Sequence, residues 1–287
     1  MKYDRFRVWL KCMIGEKQTA NAIWKLFTTT VGYISFIYTF AILIKEWIGI
    51  DIFENICKTH WLGLIVVGTI AAVVHNREKI TLSCANSNKS LIIKVTVNDL
   101  FAVKASSFVI PTNTRFETNM TNDLISPKSV QGAFQMLYFK NNWRALHDKL
   151  IKRLRRGEIQ YPIGTVAKIN HNKKHYYFLA VCDINNSGRT INQGIDNVKT
   201  SLKGLIKFIL DRGYCDTLAM PLIGTGRAAI QEATIEGVLE MTIDSFFGSG
   251  KRVVNTLFIC ISPRDYLEGR VDMKRIEQII NYKSGLA

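Results

Sequence analysis

A short bend with two glycines is the part of this sequence whose residue types and spacing best suit chemistry. The stretch Pro221-Leu222-Ile223-Gly224-Thr225-Gly226-Arg227 follows a predicted strand and precedes a predicted helix. Glycines let the backbone turn tightly and bring its N–H groups close to an anion, and the start of a helix favours negative charge. Thr225 adds a hydroxyl. The pattern predicts a phosphate-binding bend, and an ordinary strand-to-helix turn is the plainer alternative.

Two better-known glycine motifs do not account for this bend. Residues 224–229 match the G-x-G-x-x-A dinucleotide fingerprint. Only one further predicted strand and a short helix follow them, which is too little for half of a dinucleotide-binding fold. A Walker A loop is excluded because the sequence has no Gly-Lys-Ser/Thr.

A second turn-rich stretch, residues 111–132, also lies between a predicted strand and a predicted helix. Two strand-end loops of this kind would face one another across a diphosphate. Asn113 lies where the strand ends, and its amide can donate to and accept from a ribose hydroxyl. Asparagine in such a turn also serves as a local cap, and the sequence leaves both roles open.

Strand and helix patterns alternate along residues 77–287, which we interpret as one domain. The predicted strands are 91–97, 107–110, 164–169, 175–182, 217–220 and 253–262. The predicted helices begin near Ser129 and at 143–156, 191–212, 229–246 and 271–282. This alternation predicts a sheet covered by helices, with ligands bound beyond the carboxyl ends of the strands.

Two apolar runs precede that domain, within residues 1–76. The run 26–44 has no charged residue and is about 28 Å long as a helix, close to the hydrocarbon thickness of roughly 30 Å. The run 61–74 reaches only about 21 Å and needs flanking residues to span. We therefore predict a hairpin of two transmembrane helices at about 26–44 and 57–75, with buried core helices as the alternative.

The charges beside these runs predict their orientation. Basic residues precede the first run, whereas the connector has both signs, so the N-terminus is expected in the cytoplasm. Two crossings return the chain to that side, where Arg77 and Lys79 follow. Gly68 and Ala72 stand four residues apart in the second run, a spacing that allows close helix contact and hence oligomers in lipid.

Charge and cysteine content narrow the function classes. A net charge of +15 and a pI near 9.6 suit a nucleic-acid binder or a protein beside anionic lipid. The basic residues of the predicted helix 143–156 lie on most of its faces, which is more typical of a solvated, lipid-facing surface, so nucleic acid is not the expected partner. Six scattered cysteines without a CxxC pair predict reduced thiols and no metal site.

Four motifs in order resemble the macro domain family. They are Asn98-Asp99-Leu100, the strand end 108–113 (FVIPTN), residues 129–133 (SVQGA) and the bend 221–226 (PLIGTG). In that family the pattern is Gly-Asp-Ile, a strand ending in Asn-Ala-Ala-Asn, a glycine loop closing in Val-x-Gly-Ala, and a late Pro-x-x-Gly-x-Gly. The resemblance implies a macro-like three-layer α/β/α domain with a central mixed sheet, and no resident cofactor.

The resemblance also implies a role for each matching residue toward an ADP-ribose-type ligand. Asp99 would accept from the adenine amino group, Leu100 would lie near the ring and Tyr266 would stack on it. Asn113 would reach the distal ribose. The diphosphate would meet the backbone N–H groups of Val130, Gln131 and Gly132. The phosphates and distal ribose would be held from the other side by Gly224, Thr225, Gly226 and Arg227.

Two departures from the family pattern disfavour catalysis. Residues 114–128 replace the glycine run of ADP-ribosyl hydrolases with a segment rich in Asn and Thr, and the second Asn of Asn-Ala-Ala-Asn is missing. A catalytic water needs a positioned polar group and a closely approaching backbone. A binding protein is therefore expected, with a membrane-tethered ADP-ribosyl or ADP-ribose-phosphate hydrolase as the alternative.

A basic hairpin followed by an atypical macro domain is similar to the transmembrane-macro effectors of bacterial Thoeris anti-phage systems. That resemblance implies a TIR-domain enzyme that consumes NAD and releases an ADP-ribose derivative, for example a histidine conjugate. The macro domain would sense this nucleotide messenger. The helices, in the bacterial inner membrane with both termini cytoplasmic, would then form homo-oligomers and damage the lipid bilayer.

Overall fold

The computed structural model describes residues 2–14, 20–86, 90–121, 124–140, 142–154, 158–185, 190–191, 194–224 and 234–286. The chain forms two compact units, Met1–Ile80 and Thr81–Ala287. The predicted boundary after residue 76 lies just before this division and stays a prediction of where the domains part.

The first unit is helical. Its helices are α1 (Lys2–Ile14), α2 (Ala20–Ile48), α3 (Ile52–Thr59) and α4 (Trp61–Asn76). Within α2, Ile23–Ile48 is long and apolar enough to cross a membrane.

The second predicted span, 57–75, is not one straight helix. The chain bends by 90° between α3 and α4, and the two meet the same test only if the bent pair counts as one span. The bend lies at His60, whose backbone angles are not helical. Before it, Glu54 of α3 pairs with Lys45 at 2.6 Å and with Lys58 at 2.5 Å. These charges give α3 a polar side. Because α3 and α4 meet the test only together, the predicted two-helix hairpin is not confirmed.

Gly68 and Ala72, predicted to allow contact between copies, are both buried within the chain, and Gly68 lies against α2. A Cβ added to Gly68 would lie 2.8 Å from Ile34 Cγ1 and 3.4 Å from the Thr30 carbonyl oxygen. Tyr33 and His75 join the same two helices through a 3.2 Å hydrogen bond. At Gly68 the small residue therefore allows the close contact between α2 and α4 within one chain. Its use in oligomers stays a prediction.

The second unit is an eight-stranded sheet with helices. Its strands are β1 (Thr81–Ala85), β2 (Ile92–Val97), β3 (Ser107–Asn113), β4 (Val166–His171), β5 (Lys174–Ile184), β6 (Thr190–Ile191), β7 (Cys215–Pro221) and β8 (Val254–Ile261). The order is β1-β2-β8-β7-β3-β5-β4, and β6 pairs with β5. The inner strands from β2 to β5 are parallel, whereas β1 and β4 are antiparallel edges.

Helices cover both faces of this sheet. They are α5 (Val130–Phe139), α6 (Trp143–Ile151), α7 (Ile195–Leu210), α8 (Ile235–Phe247), α9 (Pro263–Leu267) and α10 (Met273–Leu286). Side chains alternate between faces along a strand. In β5, Tyr176 and Phe178 contact Phe134 of α5, whereas Tyr177 between them contacts Phe208 of α7. The predicted helix-covered mixed sheet is confirmed.

The predicted element bounds differ from the structure in identifiable ways. The edge strand β1 and the short helix α9 were not predicted. Strand β3 continues beyond Ile110, through Pro111 to Asn113. Helix α6 ends at Ile151, before the predicted end at residue 156, and Arg155, Arg156 and Gly157 lie outside the described residues.

Candidate functional site

The predicted site residues gather at one edge of the sheet. Because β2, β8, β7 and β3 are parallel, their carboxyl ends lie at the same edge. Asp99 follows β2, Gly224 follows β7, and Asn113 ends β3. The Asn98 N–H donates to the Ile261 carbonyl at 3.1 Å, which ties the end of β2 to the end of β8.

Strands β3 and β7 separate toward this edge, and we call the gap between their carboxyl ends the crevice. The two strands are paired only at Ser107 with Leu218 and Phe108 with Ala219, yet they continue to Asn113 and Pro221. Beyond them the chain leads to α5 on one face and toward α8 on the other. Such a divergence of neighbouring connections is where open α/β sheets bind ligands.

Asp99, the predicted adenine contact, follows β2 at this edge and caps a local turn. One carboxylate oxygen accepts from the Phe101 N–H at 2.8 Å and caps a 3₁₀ turn, Leu100–Ala102. Burial, and after it the nearby Asp99 charge, raises the pKa of the Cys260 thiol to about 12. Asp99 therefore lies close to β8, and its second oxygen has no hydrogen-bond partner among the described residues. Leu100 is buried beside it.

Tyr266 differs from its prediction. It lies in α9, which Ser262 caps by accepting from the Arg264 N–H at 3.2 Å. Its side chain is only 1% exposed, so the ring is neither a surface ring nor open to an adenine in this conformation. Proline stands in the first turn of α9, where its fixed φ suits the start of a helix.

Asn113 acts as a local cap. Its side chain is 3% exposed, and its Oδ1 accepts from the N–H groups of Arg115 at 3.0 Å and Glu117 at 3.1 Å. The oxygen is therefore used within the loop. The amide nitrogen is the group that remains for a ribose hydroxyl.

The start of α5 supplies fewer ligand groups than predicted. Ser129 Oγ accepts from the Gly132 N–H at 3.0 Å, and Gln131 Nε2 donates to the Glu117 carbonyl at 2.6 Å. The Gly132 N–H is thus already used by its cap, which corrects its predicted role. The N–H groups of Val130 and Gln131 belong to the first turn and have no intrahelical acceptor, so they stay suited to an anion.

Gly132 is needed for packing. A Cβ at this position would lie 2.0 Å from the Ser126 carbonyl oxygen and 2.8 Å from Pro127 Cα. Both atoms belong to the backbone and cannot rotate away. Gly132 therefore lets the preceding loop lie directly against the first turn of α5.

That loop is ordered by its own polar groups, which the sequence did not reveal. Gln135 Nε2 donates to the Thr118 carbonyl at 2.7 Å, and Thr118 Oγ1 donates to the Trp143 carbonyl at 3.0 Å. Phe116, with a φ of 49°, is fully buried edge-on to Tyr161. The signal available in the sequence was an aromatic residue, Phe116, inside an Asn- and Thr-rich stretch.

The glycine bend is described only in part. Leu222 and Ile223 are buried, and Gly224 has a φ of 87°, a left-handed conformation that favours glycine. Thr225, Gly226 and Arg227 lie outside the described residues. Helix α8 begins at Ile235, later than the predicted 229, and Thr234 caps it by accepting from the Gly237 N–H at 3.0 Å.

Metal-ligating groups do not cluster in the described part of the chain. No group of three or more His, Cys, Asp or Glu side chains there is suited to a metal ion. All six cysteines are free thiols.

Comparisons with known proteins agree with this architecture. Residues 93–262 match the family model described as "Thoeris protein ThsA, Macro domain". A solved macrodomain from Oceanobacillus iheyensis with MES bound superposes with a TM-score of 0.52 at 11% identity, covering 72% of this chain and 98% of that one. The same organism's macrodomain with ADP gives 0.50 at 12% identity, covering 72% and 95%. At this identity the structures show the fold alone. A search of curated proteins found no significant match.

Proposed function

Because the chain belongs to the Thoeris ThsA macro-domain family, we propose that it is a membrane-anchored effector whose macro domain binds an ADP-ribose-type nucleotide. The observation that carries this proposal is the crevice where β3 and β7 separate, in a chain that also has an apolar helix of spanning length. The crevice gives the nucleotide a place, and the helix gives the anchor.

The described groups at the crevice suit the parts of such a ligand. The open oxygen of Asp99 accepts from an adenine amino group, and the amide nitrogen of Asn113 donates to a ribose hydroxyl. The diphosphate lies against the first-turn N–H groups of Val130 and Gln131. The bend at Gly224, with Thr225, Gly226 and Arg227, contacts the diphosphate and distal ribose from the side opposite α5.

In this proposal the chain crosses the bacterial inner membrane twice. Helix α2 is the first span, and the bent pair of α3 and α4 is the second, which completes the hairpin. Basic residues before α2 and after α4 keep both termini in the cytoplasm.

The nucleotide acts as a messenger made by a TIR-domain enzyme, and a histidine conjugate of ADP-ribose is the form that we favour. Its binding shifts the chain toward homo-oligomers only if the ligand has higher affinity for the assembled state. Since Gly68 already contacts α2 and Ala72 is buried within the chain, the assembly uses other surfaces. Assembled helices then disrupt the lipid bilayer.

Calorimetry on the detergent-solubilised full chain tests the binding step. ADP-ribose or its histidine conjugate is expected to bind, and Asp99→Asn and Asn113→Asp each to weaken binding at least about tenfold, or roughly 1.4 kcal/mol. Both variants keep the oxygen that caps the local turn, so the fold is preserved. Asp216→Asn, at the amino end of β7, is the matched control and should bind normally. If neither ADP-ribose nor its histidine conjugate gives a heat of binding, the proposal is contradicted.

The hydrolase alternative is separated by turnover. Release of product from an ADP-ribosylated substrate, abolished by Asn113→Ala, would favour the tethered enzyme. Binding of the nucleotide without turnover would exclude the hydrolase and favour the binding protein.

A further inference from the structure

Helix α1 has faces of different character. Phe6, Trp9 and Leu10 share one face by their i, i+3, i+4 spacing and are 58%, 51% and 40% exposed. The rings of Phe6 and Trp9 stack with centroids 5.9 Å apart. By contrast, Val8 and Cys12, one turn apart, are buried. An open apolar face therefore lies on a helix whose other side is already packed.

The packed side attaches α1 to the end of α4. Helices α1 and α4 are in contact. The Glu78 N–H donates to the Cys12 carbonyl at 3.0 Å, and Cys12 Sγ donates to the Glu78 carbonyl at 2.8 Å. Because Glu78 follows α4 by two residues, these bonds hold α1 where α4 ends.

We infer that α1 is an interfacial helix that inserts Phe6, Trp9 and Leu10 into the acyl boundary of an anionic membrane surface. The inference rests on the proposed membrane anchorage, since the end of α4 is then at the membrane boundary. An aqueous position would leave the two stacked rings and Leu10 in water, whereas at the boundary they are buried in lipid.

The charge of α1 selects the lipid. Its sequence, KYDRFRVWLKCMI, has four basic residues and one acidic residue. Basic residues near the surface of an anionic membrane are attracted to its negative potential. Tryptophan and basic residues are also the side chains enriched at the membrane–water interface. The occupant of the apolar face is therefore an anionic phospholipid layer.

Single-tryptophan full-length chains in vesicles test this placement. The sequence has five tryptophans, and each test chain keeps one of them and has phenylalanine at the other four positions. The three chains keep Trp9, Trp47 at the end of α2, or Trp143 in Thr81–Ala287, which we call the macro unit. The vesicles contain phosphatidylcholine brominated at a shallow or a deep acyl position, with or without phosphatidylglycerol.

The expected result is quenching of Trp9 by shallow more than by deep bromines, at least twofold stronger when phosphatidylglycerol is present. Phe6→Gln with Leu10→Gln should remove at least half of that quenching and leave Trp47 quenching unchanged. Both side chains are exposed, so the contact with α4 is preserved, and slow thiol labelling of buried Cys12 checks this. Trp143 should stay unquenched.

An unquenched Trp9 beside a quenched Trp47 overturns the inference and leaves the anchorage intact. Quenching of neither residue overturns the anchorage and the inference together. Trp9 could also be quenched equally by shallow and deep bromines, with no effect of phosphatidylglycerol. That result would overturn the placement of α1 at an anionic interface.

Discussion

The two compact units place their apolar side chains in opposite ways. In Thr81–Ala287 both faces of the sheet are covered, and residues such as Phe108, Phe134 and Phe178 are fully buried. In Met1–Ile80 most large apolar side chains of the described helices are open, among them Phe36 at 70% and Trp47 at 85%. The first arrangement suits water, and the second leaves apolar surface exposed, as expected of the proposed membrane anchor.

The units also use close glycine contacts differently. Gly132 meets backbone atoms of the loop before it, whereas Gly68 meets the side chain of Ile34. A backbone contact fixes a loop, and a side-chain contact brings two helices together while allowing some adjustment. The comparison therefore predicts that the macro unit is stable but does not tolerate substitution of Gly132. It also predicts that the stability of Met1–Ile80, the helical unit, depends on lipid more than on any single residue.

Separating the two units should give the largest effect. A chain of residues 81–287 is expected to stay monomeric in buffer, because its apolar side chains are covered by its own helices. The full chain is expected to aggregate unless detergent is present. Light scattering with and without detergent measures both. A full chain that is monomeric in plain buffer would break the comparison.

Gly132→Ala is expected to cost the macro unit about 3 kcal/mol of unfolding free energy, at the upper end for overpacking. The added Cβ would lie 2.0 Å from the Ser126 carbonyl oxygen, so the loop must move away from α5. Urea unfolding of residues 81–287 measures the loss.

Gly285→Ala is the matched control for that change. Gly285 also lies in a helix, and a Cβ there meets nothing within 4 Å. Alanine is the better helix former, so this variant should be neutral or stabilising by up to about 1 kcal/mol. Equal stability of the two variants would mean that the close approach at Gly132 does not matter.

Asn113→Ala is expected to destabilise the same unit by about 2 kcal/mol, since the N–H groups of Arg115 and Glu117 lose their shared acceptor. Asn113→Asp keeps an acceptor and should lose much less. Thermal unfolding of both variants without ligand compares them. If aspartate were as damaging as alanine, the cap would not be the reason that the oxygen is needed.

The sequence predicted most of the sheet because its strands are apolar runs bounded by turn residues. It missed β1, whose five residues are too short a pattern to distinguish from a loop. It ended β3 early because proline usually interrupts a sheet. Pro111 is tolerated because β7 pairs with β3 only as far as Phe108. Beyond that residue, the side of β3 that faces β7 has no ladder of hydrogen bonds for a proline to interrupt. The bend at His60 depends on local backbone angles that periodicity does not encode.

The site was predictable in position and less so in detail. Strand ends place Asp99, Asn113 and Gly224 at one edge, and the sequence order of the motifs predicted that placement. Which atoms remain open depends on tertiary contacts. The Gly132 N–H is occupied by the Ser129 hydroxyl, and Tyr266 is buried within α9, a helix that the sequence did not predict.

Gly68→Ala should give the smallest effect of the set and sharpens the comparison within the helical unit. The added Cβ would lie 2.8 Å from Ile34 Cγ1 and 3.4 Å from the Thr30 carbonyl oxygen, so α4 must shift slightly away from α2. The expected loss is about 1 kcal/mol, because the side chain of Ile34 yields more easily than a backbone. Gly63→Ala, on the same helix with nothing within 4 Å, is the control and should not destabilise. Unfolding of the full chain in detergent by added SDS measures both. If Gly63→Ala and Gly68→Ala behaved alike, the contact between α2 and α4 would not hold this unit together, and lipid alone would decide its structure.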